Sequence, residues 1–179
     1  MDVRLEPLGR HHDRGAFDCG DVSVTRYLRT VALQAQEALR AATTVAVEPT
    51  APGWILGFFT LVSIKVVDTE LPDDLVRAFR IRNLASGAPA VLLAQLGVDR
   101  TTSKHGLGTL LLRQALSQAC TGALAVGGVA LIVDAINQEI AEWYRRRVPD
   151  FQPLTDSPLR LILPMRKIVA ALIPSEHSE

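Results

Sequence analysis

The stretch Val91–Val98, VLLAQLGV, is apolar almost without a break. Strands that face water on one side alternate apolar and polar residues, so an unbroken run marks a strand buried on both faces. Val129–Asp134 reads as a second buried strand. Ahead of them, Ala41–Val47 and the long run Trp54–Val67, WILGFFTLVSIKVV, are rich in the β-branched and aromatic residues of strands. Gly57 inside that run marks a bulge or a close approach of two backbones. Glu48–Gly53, with two prolines and a glycine, reads as the hairpin loop joining these strands. Leu159–Leu163 closes the list of strands.

Helices fall between them. Asp21 is placed to cap a helix running to about Arg40, with Val24, Leu28, Val31, Leu33 and Ala35 as its apolar stripe. Leu71-Pro72-Asp73-Asp74 opens a short helix that carries Arg77 and Arg80. Leu107–Cys120 is helical, and Asn137 caps a further helix to about Arg147, ended by Val148-Pro149-Asp150. Mostly antiparallel strands therefore come first, then strand–helix–strand–helix–strand. The reading is a single α/β (α+β) domain over residues 1–174, with a mixed, mostly antiparallel central sheet flanked by helices and a polar tail at 175–179.

Composition supports a full globular core: 48% of the 179 residues are hydrophobic and 21% charged. The formal net charge is zero, which argues against bulk attraction to nucleic acid but leaves room for a local basic face. Cys19 and Cys120 are the only cysteines and fit no zinc spacing, so no metal is expected. Cys19 belongs to a turn before the first helix, and Cys120 to the core. His11 and His12 are expected as solvated residues near the chain start. That start is too polar for a signal peptide, and no run reaches the ~18 apolar residues that span a bilayer. The expectation is a cytoplasmic protein without a membrane partner.

The segment LLAQLGVDRTTSKHGLGTLLL, Leu92–Leu112, sets a buried strand, a polar loop and Gly106-x-Gly108 at a helix start. Glycines let a backbone approach a ligand, and the unpaired N–H groups of a first helical turn attract phosphate oxygens. Lys104 adds positive charge. By itself the pattern fits either an anion cradle or a plain strand–loop–helix turn. The Walker Lys-Ser/Thr after the second glycine is missing, and no glycine close to the strand end offers a dinucleotide fingerprint.

Strand, VDR, loop, GLG and LLL in this order resemble the pyrophosphate-binding segment of the GNAT acyltransferase superfamily, whose members bind acetyl-coenzyme A. The second landmark is VDAINQEIAEWYRRR, with Asp134, Asn137 and Tyr144. FDCG (Phe17–Gly20), YLR (Tyr27–Arg29), ALQAQEALRAATTVAV (Ala32–Val47) and GFFTLVSIKV (Gly57–Val66) narrow the resemblance to the GNAT toxins of bacterial toxin–antitoxin pairs. The matches span about Phe17 to Tyr144. Ser103 stands where the superfamily usually has Arg or Gln. The aromatic and the glycine-phenylalanine pair that many such toxins carry are missing from Arg80–Ala90 and from Val148–Phe151.

The resemblance implies an enzyme that moves the acetyl group of acetyl-CoA to the α-amino group of aminoacyl-tRNA and so stops translation. It places Leu96, Gly97 and Val98 along the pantetheine arm. Ser103, Lys104, His105, Gly106, Leu107, Gly108 and Thr109 come under the pyrophosphate, with Asn137 as a further contact. Tyr144 is the candidate general acid toward the departing thiolate. An α-amine titrates near pH ~8 and loses basicity when the amino acid is esterified, so a weak base at the site suffices. Arg77, Arg80 and Arg82, and Arg145, Arg146 and Arg147 beside Tyr144, are candidates for tRNA phosphates. Arg26, Arg29 and Arg40 add charge on the first helix. The resemblance also implies a ribbon-helix-helix antitoxin that binds operator DNA, and a homodimer. An N-acetyltransferase of a small amine or protein N-terminus, and a non-catalytic GNAT module, are the competing readings.

Overall fold

A computed structural model describes residues 3–84, 86–102, 106–154 and 156–172. The strands are β1 (Arg4–Pro7), β2 (Ala42–Glu48), β3 (Ala51–Val66), β4 (Ala88–Val98), β5 (Ala130–Asp134), β6 (Gln152–Leu154) and β7 (Ser157–Pro164). The helices are α1 (Val22–Thr30), α2 (Ala32–Glu37), α3 (Asp73–Phe79), α4 (Leu107–Val126), α5 (Gln138–Arg147) and α6 (Met165–Leu172), with a 3-10 turn at Asp68–Glu70. The strands form one seven-stranded sheet in the order β1-β2-β3-β4-β5-β7-β6. β4 and β5 are neighbours in this order, with α4 between them along the chain. The expected mixed sheet with flanking helices is thus observed. No helix among the described residues is long and apolar enough to cross a membrane.

The chain packs as two compact units, Met1–Val62 with Leu93–Ala115, and Ser63–Leu92 with Leu116–Glu179. In the first, β1 pairs antiparallel with β2 from Arg4↔Val47 to Pro7↔Thr44, and β2 with β3 from Ala42↔Leu61. Phe17, Leu28, Val45 and Phe58 form its core, with Phe17 edge-on to Phe58 at 5.3 Å between ring centres. In the second, β7 lies between β5 and β6, both antiparallel to it. Leu75 and Val76 of α3 pack there on Ile132 and Ile162.

The structure departs from the sequence reading in several places. The helix expected from Asp21 to Arg40 is broken at Val31 into α1 and α2. The break lets Leu28, Ala32 and Ala35 all become buried. It also lets the Gln36 amide cross-link two backbones, donating to the Leu8 carbonyl and accepting from the Thr43 N–H. The hairpin between β2 and β3 turns at Pro49-Thr50 alone, with ladder slips at Val47 absorbing the rest of the expected loop. α4 continues past Cys120 because Ala119, Cys120 and Ala123 still bury one face, and it stops at Gly127, whose N–H returns to the Ala123 carbonyl.

His12 is buried rather than solvated. Its Nδ1 lies 2.9 Å from the Gly9 N and 3.2 Å from the Gly9 carbonyl oxygen, and its Nε2 lies 3.0 Å from Glu6 Oε1. His11 is exposed and reaches the same oxygen at 3.2 Å. The His11 hydrogen bond is the largest influence on the Glu6 carboxyl. Burial opposes it, Arg4 and His12 add to it, and the group sits below the usual carboxylate range.

Candidate functional site

In the first unit the end of β4 packs closely on its neighbours at a glycine. A Cβ on Gly97 would lie 3.0 Å from Val24 Cγ1 and 3.1 Å from Phe58 Cε1. A Cβ on Gly57 would lie 2.8 Å from Leu111 Cδ1 and 3.0 Å from the Gly97 carbonyl oxygen. Gly57 therefore marks a close approach of β3 to β4, as its place in an apolar strand suggested. Leu96 and Val98 flank Gly97 on the same strand end.

Immediately beyond, Asp99 is 3% exposed and organises the turn. Its Oδ2 accepts from the Asp18 N–H at 3.0 Å. Its Oδ1 accepts from the Thr101 N–H at 3.0 Å and hydroxyl at 2.6 Å. Burial alone would push the carboxyl up. The hydrogen bonds from Thr101 and Asp18 and the charge of Arg100 outweigh it, and the group lies below its ordinary value. Asp18 in turn pairs with Arg100 and accepts the Gly20 N–H. Sequence reading missed this network, because its two halves stand 81 positions apart and only the fold joins them.

Ser103, Lys104 and His105 lie outside the described residues. Gly106 has φ +73°, a conformation that disfavours a side chain, with open space where a Cβ would stand. α4 starts at Leu107, which is buried, whereas Gly108 and Thr109 are half-buried. The Thr109 and Leu110 N–H groups return to the Gly106 carbonyl. The earlier N–H groups of an α-helix have no acceptor within it, which is what an anion at such a start uses.

In the second unit, Asn137 caps α5: its Oδ1 accepts the Ile140 N–H at 2.9 Å. The cap uses the oxygen and leaves the side-chain NH2 for another contact. Tyr144 is 6% exposed. Its ring meets Trp143 edge-on at 5.0 Å and Phe151 at 6.0 Å between centres. Burial pushes its hydroxyl well above the usual phenol value, so it is protonated throughout the neutral range. In that form it is a hydrogen-bond donor.

The predicted arginines divide. Arg147 stacks on Trp143 at 4.0 Å, Arg146 faces Glu142 at 3.8 Å, and Arg82 is bound by Asp73 at 3.0 Å. Arg145 and Arg77 are exposed on their helices, and Arg80 ends α3 in a left-handed conformation. Cys19 and Cys120 sit where expected, before α1 and within α4. Glu6, His11 and His12 bring one oxygen and two nitrogens within 4.8 Å of one another, a donor set that divalent ions accept. In this structure Glu6 Oε1 is hydrogen-bonded to both His11 Nε2 and His12 Nε2.

A seven-stranded sheet flanked by helices is the fold that the GNAT resemblance implied. No protein-family model matches the chain. It is 33% identical over 156 residues to the tRNA-acetylating toxin of Mycobacterium tuberculosis (strain ATCC 25618 / H37Rv), covering 86% of this chain and 87% of that protein. It is 29% identical over 170 residues to the probable toxin TacT of Sinorhizobium fredii (strain NBRC 101917 / NGR234), covering 92% of each. Solved structures of the same fold include AtaT complexed with acetyl-methionyl-tRNAfMet (TM-score 0.81, 23% identity, 96% of this chain and 99% of that one). AtaTR bound with acetyl-CoA is another (0.78, 23%, 96% and 98%). A mutant AtaT bound to the C-terminus of the antitoxin AtaR is a third (0.79, 22%, 98% and 100%). The chain belongs to the family of tRNA-acetylating GNAT toxins.

Proposed function

We propose that this protein is an acetyl-CoA-dependent N-acetyltransferase that acetylates the α-amino group of aminoacyl-tRNA, and that it acts as the toxin of a toxin–antitoxin pair. Kinship across 86% of the chain with a tRNA-acetylating toxin carries the reading. Tyr144 is compatible with it: its hydroxyl stays protonated at neutral pH and so can donate a hydrogen bond to a departing thiolate.

Bound acetyl-CoA supplies an activated acyl group with a thiolate as leaving group. The residues present fit it. Gly106 and the first turn of α4 provide backbone N–H groups suited to a pyrophosphate. By the resemblance, the backbone of Leu96–Val98 would lie along the pantetheine and polarise the acyl oxygen, and the Asn137 NH2 would add a contact. Tyr144 would keep its proton through the approach of the amine and share it with the departing sulfur, and the proton that the nitrogen sheds on becoming an amide would return to the phenolic oxygen. A phenol is a weaker acid than a thiol, so its proton is shared as the bond to sulfur breaks rather than handed over beforehand. The amine needs little help: near pH ~8 a useful fraction of an α-amine is already neutral. A cytoplasmic setting, a ribbon-helix-helix antitoxin that binds operator DNA, and a homodimer complete the proposal.

Purified protein incubated with acetyl-CoA and charged tRNA tests it. The expected product is N-acetyl-aminoacyl-tRNA, with kcat falling about a hundredfold in Tyr144→Phe while the fold is retained. Transfer to free amines or peptides but not to aminoacyl-tRNA moves the enzyme to the small-amine reading. No transfer to any amine leaves a binding module.

A further inference from the structure

The first unit holds a cavity of about 440 Å³ against α1, lined by Arg26, Arg29 and Arg100 together with Asp18 and Asp21. Its two carboxylates are committed within the protein. Asp18 pairs with Arg100 and accepts the Gly20 N–H at 2.8 Å, and Asp21 caps α1 by accepting the Val24 N–H at 2.8 Å. Among the described residues no carboxylate lies within ion-pair distance of the Arg26 or Arg29 guanidinium. Arg29 is held by its Nε, which donates to the Phe17 carbonyl at 2.9 Å, so its terminal nitrogens remain for a ligand. Arg26 and Arg29 stand three apart on α1, a spacing at which like charges repel unless an anion lies between them. By contrast Arg82, Arg146 and Arg147 already have partners.

We propose that this cavity is a phosphate subsite, taking a backbone phosphate of the tRNA between the forked donors of Arg26 and Arg29, with Arg100 as its third wall. Planar guanidinium groups suit phosphate oxygens in pairs. The phosphate is assigned to RNA because, among the described residues, neither Gly106 nor the first turn of α4 lines the cavity. The proposal rests on the aminoacyl-tRNA reading for the identity of its ligand.

The test is fluorescence anisotropy of labelled, uncharged tRNA with the full chain over a range of salt, followed by steady-state kinetics. Arg26→Gln is the variant of choice, since Arg26 is exposed on α1. Expected are a loss of about fivefold in tRNA affinity and a decrease of about 0.7–0.9 in the slope of log K against log salt, one phosphate's share. Arg26→Lys restores most of both. Arg113→Gln, an exposed arginine on α4, behaves as the parent. KM for aminoacyl-tRNA rises in Arg26→Gln, and KM for acetyl-CoA stays put. The subsite is overturned if Arg26→Gln keeps the parent's affinity and salt slope, or if its defect appears in KM for acetyl-CoA, which gives the phosphate to the cofactor. A parent that binds tRNA in an Arg26-dependent way yet acetylates no aminoacyl-tRNA sinks the enzymatic reading and leaves the subsite standing.

Discussion

Burial and protonation are coupled at Tyr144. Packed against Trp143 and Phe151, its hydroxyl titrates above the usual phenol value. In the unfolded chain a tyrosine ionises near pH ~10. Above that pH the unfolded state has lost a proton that the folded state still holds, so stability is intact below about pH 10 and falls as pH rises further. Tyr144→Phe has nothing to ionise. Urea midpoints followed from about pH 8 to about pH 11 should fall more steeply in the parent than in the variant, and parallel curves would show that Tyr144 titrates as if exposed. Single residues differ in how far local sequence reveals them. The helix that carries Tyr144 was legible because Asn137 starts it and Pro149 follows its end, whereas the role of Tyr144 itself rested on the resemblance. His12 was not: nothing beside it shows that Glu6 and Gly9 will enclose its ring.

At the scale of elements, α5 has a cap whose atoms do separable jobs. Asn137 Oδ1 takes the Ile140 N–H, and the reading proposed above gives its NH2 to the cofactor. Asn137→Ala loses both and should destabilise the protein by about 1 kcal/mol, as cap removals do. Asn137→Asp keeps an equally good cap and loses only the NH2 donor. Thermal melts should therefore place Asp with the parent and Ala below it, while KM for acetyl-CoA rises in both. A KM that follows stability, unchanged in Asn137→Asp, would reduce Asn137 to a cap. β5 and the capped helices were legible because burial and capping leave periodic or single-residue marks, whereas β4, read as buried on both faces, is half-buried at Val91, Leu92, Leu96 and Val98. β1 and β6 were not. Both are short pieces at the sheet's edges, with mostly polar or half-buried residues, and pairing alone makes them strands. The break at Val31 escaped as well, since what α2 buries is set by the Leu8 and Thr43 backbones that Gln36 ties together.

For the whole molecule, 19 basic and 19 acidic side chains cancel, so affinity for a polyanion must come from where arginines gather rather than from their number. The glycine loop of the candidate site could be read locally, but the wall that holds its strand end could not, because it is built across 81 positions of chain by Asp18 and Asp99. Asp99 is the piece on which the first unit's long-range order turns, and acid unfolding reads it out. Its carboxyl sits below the ordinary carboxylate value in the folded state, so its stabilisation is present above the unfolded pKa of about 4 and drains away as pH falls through the folded one. Asp99→Asn keeps the size but turns an NH2 toward one of the N–H donors. It should cost roughly 1–3 kcal/mol at neutral pH by leaving a buried donor unmet. The variant carries no charge to lose at this position, so the gap between parent and variant should narrow steadily below about pH 4. Paired denaturant curves at neutral and acid pH measure that gap directly. A gap that stays constant with pH would mean that Asp99 acts by shape alone, with its charge already compensated in the unfolded chain.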